Sequence, residues 1–474
     1  MQNAPVIFWF RRDLRLADNP ALLAALKAAG DAGVVPLFIG DPDIVAGVGP
    51  TRASYLEETL HALSVELGGN LVYRTGRPED VLGNVVRESG ASAVYLTKDY
   101  APLGMSRDAH IRESLGTVSF HEIDSPYIVP PGSIFSKTGE PFKVFTAFRR
   151  VWDTFEIPKP LPAPQQPVWR LLASEPLSTI TEMAGSRWPA YFGDLALIPA
   201  APRVTAGERV ALDLLAEFVP HVDDYAEQRN MPGTKGTSRL SPHLRFGSIH
   251  PRQVADAVIG DSDGRRIFLS EIAWREFYAD VLFHNPSSTT QVLQSSMNFL
   301  PVDTDAAAQE RFRRWAVGET GYPLVDAGMR QLLETGWMHN RVRMVAASFL
   351  VKHLHLDWRW GAAWFMWRLV DGDVASNQHG WQWTAGTGTD AAPYHRIFNP
   401  TLQAERFDPN GDYVKRWIPA LSTVSAPQCL QPGGGEGLLT PAGYVTPMID
   451  AKTERDEALR RFALARELAA NARG

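Results

Sequence analysis

The run Val6-Ile-Phe-Trp-Phe10 is apolar throughout; Asp18-Asn19-Pro20 follows it, then Ala21–Ala29 and Gly30. An uninterrupted apolar strand leading into a helix with an N-cap, a first-turn proline and a glycine stop is one turn of a parallel α/β layer. The pattern repeats. Val34–Ile39, Leu71–Tyr73, Ala93–Thr97 and Val118–Glu122 read as further strands, and Arg77-Pro78-Glu79-Asp80 opens a second helix, Val81–Glu88, closed by Gly90. No G-x-G-x-x-G or Walker A motif follows any of these strands, so the usual dinucleotide and triphosphate cradles are missing. The carboxyl ends of the strands remain a place for a nucleotide-like ligand.

Downstream the pattern changes. Pro158-Lys159-Pro160-Leu161-Pro162-Ala163-Pro164 begins a proline-rich stretch, Ile157 to about Pro202, that cannot continue a helix or a central strand and reads as a surface connector. Helical periodicity then runs almost to the end, in Glu208–Val219, Pro251–Val258, Ile267–Phe283, Ala306–Val317, Val325–Thr335, Arg341–His353, Trp360–Leu369 and Lys452–Ala470. The expected organisation is an α/β domain over 1–130, a connector over 131–205 and an all-α domain over 206–474. Gly433-Gly434-Gly435-Glu436-Gly437 reads as a flexible loop within the last.

The 474 residues carry 47 Lys+Arg and 53 Asp+Glu, a formal charge of −6, with 45% hydrophobic residues. A disordered or collagen-like chain is excluded, and the acidic balance argues against coating nucleic acid by bulk charge while leaving room for a local basic cleft. A single cysteine, Cys429, cannot make an intrachain disulfide, a cysteine-ligated zinc site or an iron–sulfur cluster. The start shows no signal peptide and no apolar run nears the ~18 residues of a membrane span, so a cytoplasmic protein is expected. Tryptophan stands out at 14 residues; taken alone, that number reads as core packing.

Three stretches are unusual for core. Tyr225-Ala-Glu-Gln-Arg229, with Thr237-Ser238-Arg239-Leu240-Ser241 after Gly236, forms a hydroxyl-rich turn before a helix, suited to phosphate or to a capping box. In Glu271-Ile-Ala-Trp274-Arg275-Glu276-Phe277-Tyr278, helical spacing puts Glu271, Trp274, Arg275 and Tyr278 on one face, an aromatic platform beside a cation or an exposed amphipathic face. The third runs from Gly336-Trp337-Met338-His339-Asn340-Arg341-Val342-Arg343-Met344 through Asp371-Gly372-Asp373 and Asn377 to Trp381-Gln382-Trp383. Asn340, Arg341 and Met344 are helical neighbours able to contact a base edge, a phosphate and an apolar surface. The full alternating calcium loop is missing around Asp371-Gly372-Asp373, so no metal is expected; carboxylates that accept from a ribose or pair with Arg343 explain the pair more simply.

Together with Ile7-Phe8-Trp9-Phe10-Arg11-Arg12-Asp13-Leu14-Arg15 and Trp381-Gln-Trp383-Thr-Ala-Gly-Thr-Gly-Thr-Asp390, these stretches resemble the photolyase/cryptochrome family from Val6 to about Pro419, and within it the bacterial cyclobutane pyrimidine dimer photolyases. The resemblance implies an α/β antenna domain with a five-stranded parallel sheet and an all-α domain that binds FAD. It places Tyr225, Thr237, Ser238, Arg239, Leu240 and Ser241 around the flavin phosphates, Asp371, Gly372 and Asp373 at its ribose and ring with Arg343 as their partner, and Asn377 beside flavin N5. Trp274 and Trp383 would wall a pocket for a dimer flipped out of DNA, lined by Glu271, Asn340, Arg341, Met344 and Tyr278, with Arg229, Arg275 and Gln403 towards the strand. The implied activity is light-driven electron transfer from FADH⁻ to the dimer and back, with Glu271 hydrogen-bonding the dimer. Asn340 stands where (6-4) photolyases carry histidine, which favours cyclobutane dimers; a cryptochrome-type photoreceptor and a (6-4) photolyase are the competing readings. Trp381 and Trp358 match the inner two members of the family's photoreduction chain, whereas the outer position falls on Asp305: either the match slips in this loop, or another aromatic such as Trp360 or Trp315 is the surface terminus, or photoreduction is slow. Trp315, Trp360, Trp364 and Trp367 otherwise read as core packing. At the antenna, Leu103 and Gly104 replace the Asn and Glu typical of methenyltetrahydrofolate users; Phe38, Arg52, Asp108 and Arg245 look more like relatives that hold 8-HDF. The expected partner is dimer-containing DNA, bound by a monomer with no membrane contact and no obligate protein partner.

Overall fold

The computed structural model describes residues 4–202, 204–390, 396–434, 441 and 443–472. Residues 435–437 of the glycine-rich stretch therefore lie outside the described residues, as do 1–3. The chain forms two compact units: Met1–Arg187 with Arg203–Asp223 and Ser238–Pro286, and Trp188–Pro202 with Asp224–Thr237 and Ser287–Gly474.

The first unit is built on five parallel strands, β1 (Val6–Phe10), β2 (Val34–Gly40), β3 (Val72–Thr75), β4 (Ala93–Thr97) and β5 (Ser119–Ile123), in the order β3-β2-β1-β4-β5. All residues of β1 and β2 are buried, as strands covered on both faces must be. Helices Pro20–Ala29, Pro50–Glu66, Pro78–Ser89 and Pro102–Ser114 alternate with the strands, and in the first the Asn19 side chain accepts from the Leu22 N–H at 3.1 Å, the cap expected from Asp18-Asn19-Pro20.

The proline-rich connector is more than a surface wrap. Val34 N–H donates to the Val168 carbonyl at 2.9 Å and Arg170 N–H to the Val34 carbonyl at 2.8 Å, while Glu175 N–H reaches the Tyr73 carbonyl at 2.9 Å. The connector thus extends the sheet beside β2 before β3 begins at Leu37↔Val72. Pro36 shares the side of Val34 and faces the gap between them, so its missing N–H costs no ladder bond.

The sequence boundary near 205 also differs from what the chain does. The helices Glu208–Phe218, Pro251–Ala257 and Asp263–His284 belong to the first unit because their polar side chains satisfy its backbone. Glu208 accepts from the N–H groups of Leu16 (2.6 Å) and Ala17 (2.9 Å). Arg252 bridges Asp18 and Asp124, and the fully buried Glu276 accepts from Ile128 and Val129 N–H and from Trp152 Nε1 at 2.5, 3.0 and 2.6 Å. Burial raises the Glu276 pKa, and these three donors are what hold a carboxyl there.

The second unit is helical: Ala306–Val317, Pro323–Thr335, Asn340–Lys352, Trp358–Arg368 and Val374–Ala385 enclose a core with Trp315, Trp358, Trp364, Trp367 and Trp381 buried in it. Trp381 lies against Gly361, where an added Cβ would come within 2.1 Å of its ring. Gly361→Ala should therefore overpack the core by about 1–3 kcal/mol, read as a lower melting temperature together with altered Trp381 fluorescence. An unchanged melting temperature would contradict this packing.

Candidate cofactor and nucleic-acid sites

In the second unit, Arg343 follows His339, whose Nδ1 accepts from the Arg341 N–H at 3.2 Å and so starts the helix Asn340–Lys352. Arg343 donates through Nε to the Met338 carbonyl and through Nη2 to Asp371 Oδ2, both at 2.8 Å. Asp371 is buried, and its other oxygen, Oδ1, is enclosed with no hydrogen-bond partner among the described residues. A buried carboxylate oxygen without a donor is costly, so this position takes an N–H or O–H from outside the chain, whether from water or from a ligand. Asp373 accepts from the Ser376 N–H at 3.1 Å as cap of the helix Val374–Ala385. The ion pair thus takes one oxygen of Asp371 and the helix cap one of Asp373.

One turn on, Asn377 Nδ2 donates to the Ala362 carbonyl (3.0 Å) and to Gln378 Oε1 (2.8 Å), while Gln378 Nε2 donates to the Thr289 carbonyl (2.6 Å). Backbone carbonyls only accept, so both amides have one allowed orientation and Asn377 presents Oδ1 as an acceptor. Gln378 was missed in the sequence; only its adjacency to Asn377 pointed to it.

Arg341 donates to Asn230 Oδ1 at 2.7 and 3.2 Å and lies 4.5 Å over the Phe407 ring, and Arg229 lies 5.5 Å over Tyr225, itself buried. Burial and the neighbouring Arg229 and Arg406 cations lower the Arg341 pKa. These three arginines form a basic cluster suited to a phosphate backbone. Arg406 was overlooked, although it sits three residues from Gln403 on the helix Pro400–Phe407. Gln403 Oε1 is enclosed and unpaired among the described residues. Asn340 is exposed, and Met344 and Trp383 are half-buried.

In the first unit, the turn 236–241 leads into the helix Ser241–Phe246 as the sequence suggests, with Thr237 still in the second unit. Arg239 is exposed and takes φ +58°, a left-handed conformation rare for arginine and characteristic of functional turns. Ser238 Oγ lies 3.4 Å from the Leu240 N–H. On the helix Asp263–His284, Glu271, Trp274 and Tyr278 are half-buried, and Trp274 stacks on Phe145 at 3.7 Å and 11°. One face of the indole is thereby covered and its plane fixed.

Arg275 is tied into the fold of the first unit: its guanidinium donates to the carbonyls of Pro126 (3.0 Å) and Leu244 (3.3 Å) and lies 4.6 Å over Tyr127, contacts that fix its position and leave its charge in place.

Near the carboxyl ends of β1 and β4, Asp108 is buried under Arg11, at 2.7 Å to each oxygen, and Arg107, at 3.0 Å; both guanidinium groups lie 4.9 Å from Trp9. Phe38 and Arg52 are largely buried, and Arg245 lies 5.5 Å over Phe246.

The first unit is a parallel α/β layer and the second a helical one with a buried, half-satisfied carboxylate and an arginine cluster, groups that a nucleotide-like ligand and a phosphate backbone would engage. Residues 6–165 match the family described as DNA photolyase, and residues 268–464 the FAD binding domain of DNA photolyase. The chain is 38% identical to the deoxyribodipyrimidine photo-lyase of Vibrio cholerae, over 97% of this chain and 99% of that one, and 34% identical to that of Escherichia coli over the same shares. Among solved structures it is similar to a bacterial class III photolyase from Agrobacterium tumefaciens, with a TM-score of 0.88, 37% identity and 98% of each chain covered. A cryptochrome from Synechocystis superposes with a TM-score of 0.84 at 27% identity, covering 97% of this chain and 100% of that one. The chain belongs to the DNA photolyase family.

Proposed function

We propose that this protein binds FAD and repairs cyclobutane pyrimidine dimers in DNA with light. The observation that carries the reading is the similarity over the whole length to enzymes named deoxyribodipyrimidine photo-lyase, in a chain that leaves Glu271 and Trp274 half-buried in the first unit and Asn340 exposed with Met344 and Trp383 half-buried in the second. Reduced FAD, when bound, supplies the photoexcited electron.

The residues present suit that group. Asp371 Oδ1 would accept from the group while Arg343 holds the carboxylate in place, and Asn377, with Oδ1 as its acceptor, would serve flavin N5, the role the resemblance gives it. Tyr225, Thr237, Ser238, Arg239, Leu240 and Ser241 serve the phosphates, and Gly372 and Asp373 the ribose side. Arg229, Arg341 and Arg406 hold the damaged strand. A crosslinked pyrimidine pair has already lost stacking and is cheap to extrude; Trp274, backed by Phe145, offers it an aromatic surface, and the resemblance gives Trp383 the same role. Glu271 hydrogen-bonds the extruded dimer where negative charge develops, which requires its carboxyl to carry the proton, in a water-poor site. Trp381 and Trp358 return electrons to the flavin when it is oxidised.

At the antenna, an added Cβ on Gly104 would fall 2.0 Å from Asp99 Oδ2, so the glutamate expected of methenyltetrahydrofolate users would need Asp99 to move, and the resemblance of Phe38, Arg52, Asp108 and Arg245 favours 8-HDF. A protein purified from its own cells should show 8-HDF absorbance besides flavin; folate absorbance would contradict this, and absorbance from flavin alone would mean an empty antenna site. Asn340 sets the lesion class: an oligonucleotide with a cyclobutane dimer should be repaired and one with a (6-4) product left intact. Repair of neither would favour a photoreceptor.

A further inference from the structure

The electron supply to Trp381 meets an anomaly at Asp305. Its carboxylate accepts from the Ala308 N–H at 2.7 Å and caps the helix Ala306–Val317, a structural duty that no oxidisable ring could perform. That same helix carries Phe312 and Trp315, both fully buried. From Trp381 the ring contacts lead to Trp315 (6.1 Å between centroids) directly and through Phe365 (5.0 Å, then 6.0 Å). Trp315 stacks on Phe312 at 5.9 Å, Phe312 meets the edge of Trp360 at 5.7 Å, and Trp360 stacks on Tyr191 at 4.9 Å and 15°. Trp360 and Tyr191 are half-buried, so the contacts run from a buried tryptophan to solvent without a gap.

We infer that the Trp360–Tyr191 stack is the surface terminus of the electron relay to Trp381, reached through Trp315 across Phe312. This rests on the reading of Trp381 as the residue that gives its electron to the photoexcited flavin. Tunnelling falls exponentially with separation, so rings in van der Waals contact form the fastest path. Phenylalanine is too hard to oxidise to hold the hole and acts as a bridge; Trp315 and Trp360 are the stations. Trp315 Nε1 donates to the Ala346 carbonyl at 3.0 Å, an acceptor too weak to take the proton, so its cation radical keeps the N–H and passes the hole on. At the end one electron moves from Tyr191 to the Trp360 cation radical and the phenolic proton goes to water. The neutral tyrosyl radical left behind returns its hole slowly, because the proton must come back with the electron, and a thiol in solution reduces it by donating one electron and one proton. Burial beside Asp357 raises the Tyr191 pKa well above its ordinary value, so the hydroxyl keeps its proton until it is oxidised. Trp358, which the resemblance places next to Trp381 in the photoreduction chain, would open a second branch. A longer way out runs through Phe192 and Trp367 to the exposed Trp188, with 6.0 Å at each of its last two contacts.

Flash excitation of the protein with oxidised FAD, followed by transient absorption and electron paramagnetic resonance, should show a tryptophan radical that becomes a tyrosyl radical. Tyr191→Phe should lose the tyrosyl signal and leave a tryptophan radical that recombines faster; Trp188→Phe should change nothing, and Trp358→Phe should slow formation without altering the final radical. In apoprotein oxidised by azide radicals, the first-order conversion of tryptophan to tyrosine radicals should lose one component in Tyr191→Phe. Persistence of the full tyrosyl signal in Tyr191→Phe, or its loss in Trp188→Phe, overturns the relay. Trp381→Phe separates the two claims: it should abolish every protein radical after the flash. If it does so while Tyr191→Phe has no effect, the relay alone fails; radicals that survive in Trp381→Phe refute the reading of Trp381 and the relay with it.

Discussion

Asp371→Ala should leave the protein without retained FAD. The carboxylate has two oxygens with different tasks: Oδ2 pairs with Arg343 at 2.8 Å, and Oδ1 is enclosed with no partner among the described residues. A charge-assisted hydrogen bond from the ligand to Oδ1 contributes about 1.5–3 kcal/mol, roughly ten- to more than a hundredfold in affinity. The alanine variant also leaves a largely buried Arg343 without its counter-ion, and breaking such a pair costs about 3–5 kcal/mol. Asp371→Asn separates binding from folding, since the amide keeps the shape and an acceptor oxygen but loses the charge. It should unfold cooperatively near the parent temperature and bind FAD at least about tenfold more weakly in titrations of apoprotein. Parent-like affinity in the asparagine variant would refute the assignment of Asp371 to the cofactor.

Glu271→Ala should retain FAD and lose most of the repair. The side chain is half-buried on the helix face that also carries Trp274, where the dimer is expected, and its loss removes one strong hydrogen bond to developing charge, about 1.5–3 kcal/mol or roughly ten- to a hundredfold in the rate of the step it assists. Glu271→Gln keeps an N–H donor in the same place and should recover much of that loss. The readouts are repair per absorbed photon under limiting light and the ratio of flavin to protein absorbance. An unchanged yield in the alanine variant, or a glutamine variant as poor as alanine, would remove Glu271 from this role.

The strands were legible because each is a short apolar run between turn residues; Val6–Phe10 and Ala93–Thr97 are found at the residues expected and the others within one or two of them. The pairing of residues 168–170 with Val34 was not, since it is made by backbone groups that leave no side-chain pattern. The boundary near 205 failed for a related reason: Glu208, Arg252 and Glu276 act on backbone and carboxylates far away in the chain, and spacing carries no trace of that. At the site, helical spacing put Glu271, Trp274 and Tyr278 on one face correctly. It could not show that Arg275 turns to the Pro126 and Leu244 carbonyls or that Phe145 backs Trp274, because both depend on distant segments. The tryptophans divide in the same way: helical periodicity marks a core, and only ring contacts distinguish a packed indole from a step towards solvent.

The most direct test of the central claim is repair of an oligonucleotide with a single cyclobutane thymine dimer by protein with reduced FAD, assayed in parallel under blue light and in darkness. Complete reversal to two thymines in the light and none in the dark is the result expected; an intact dimer in the light, with DNA and FAD both bound, would contradict it.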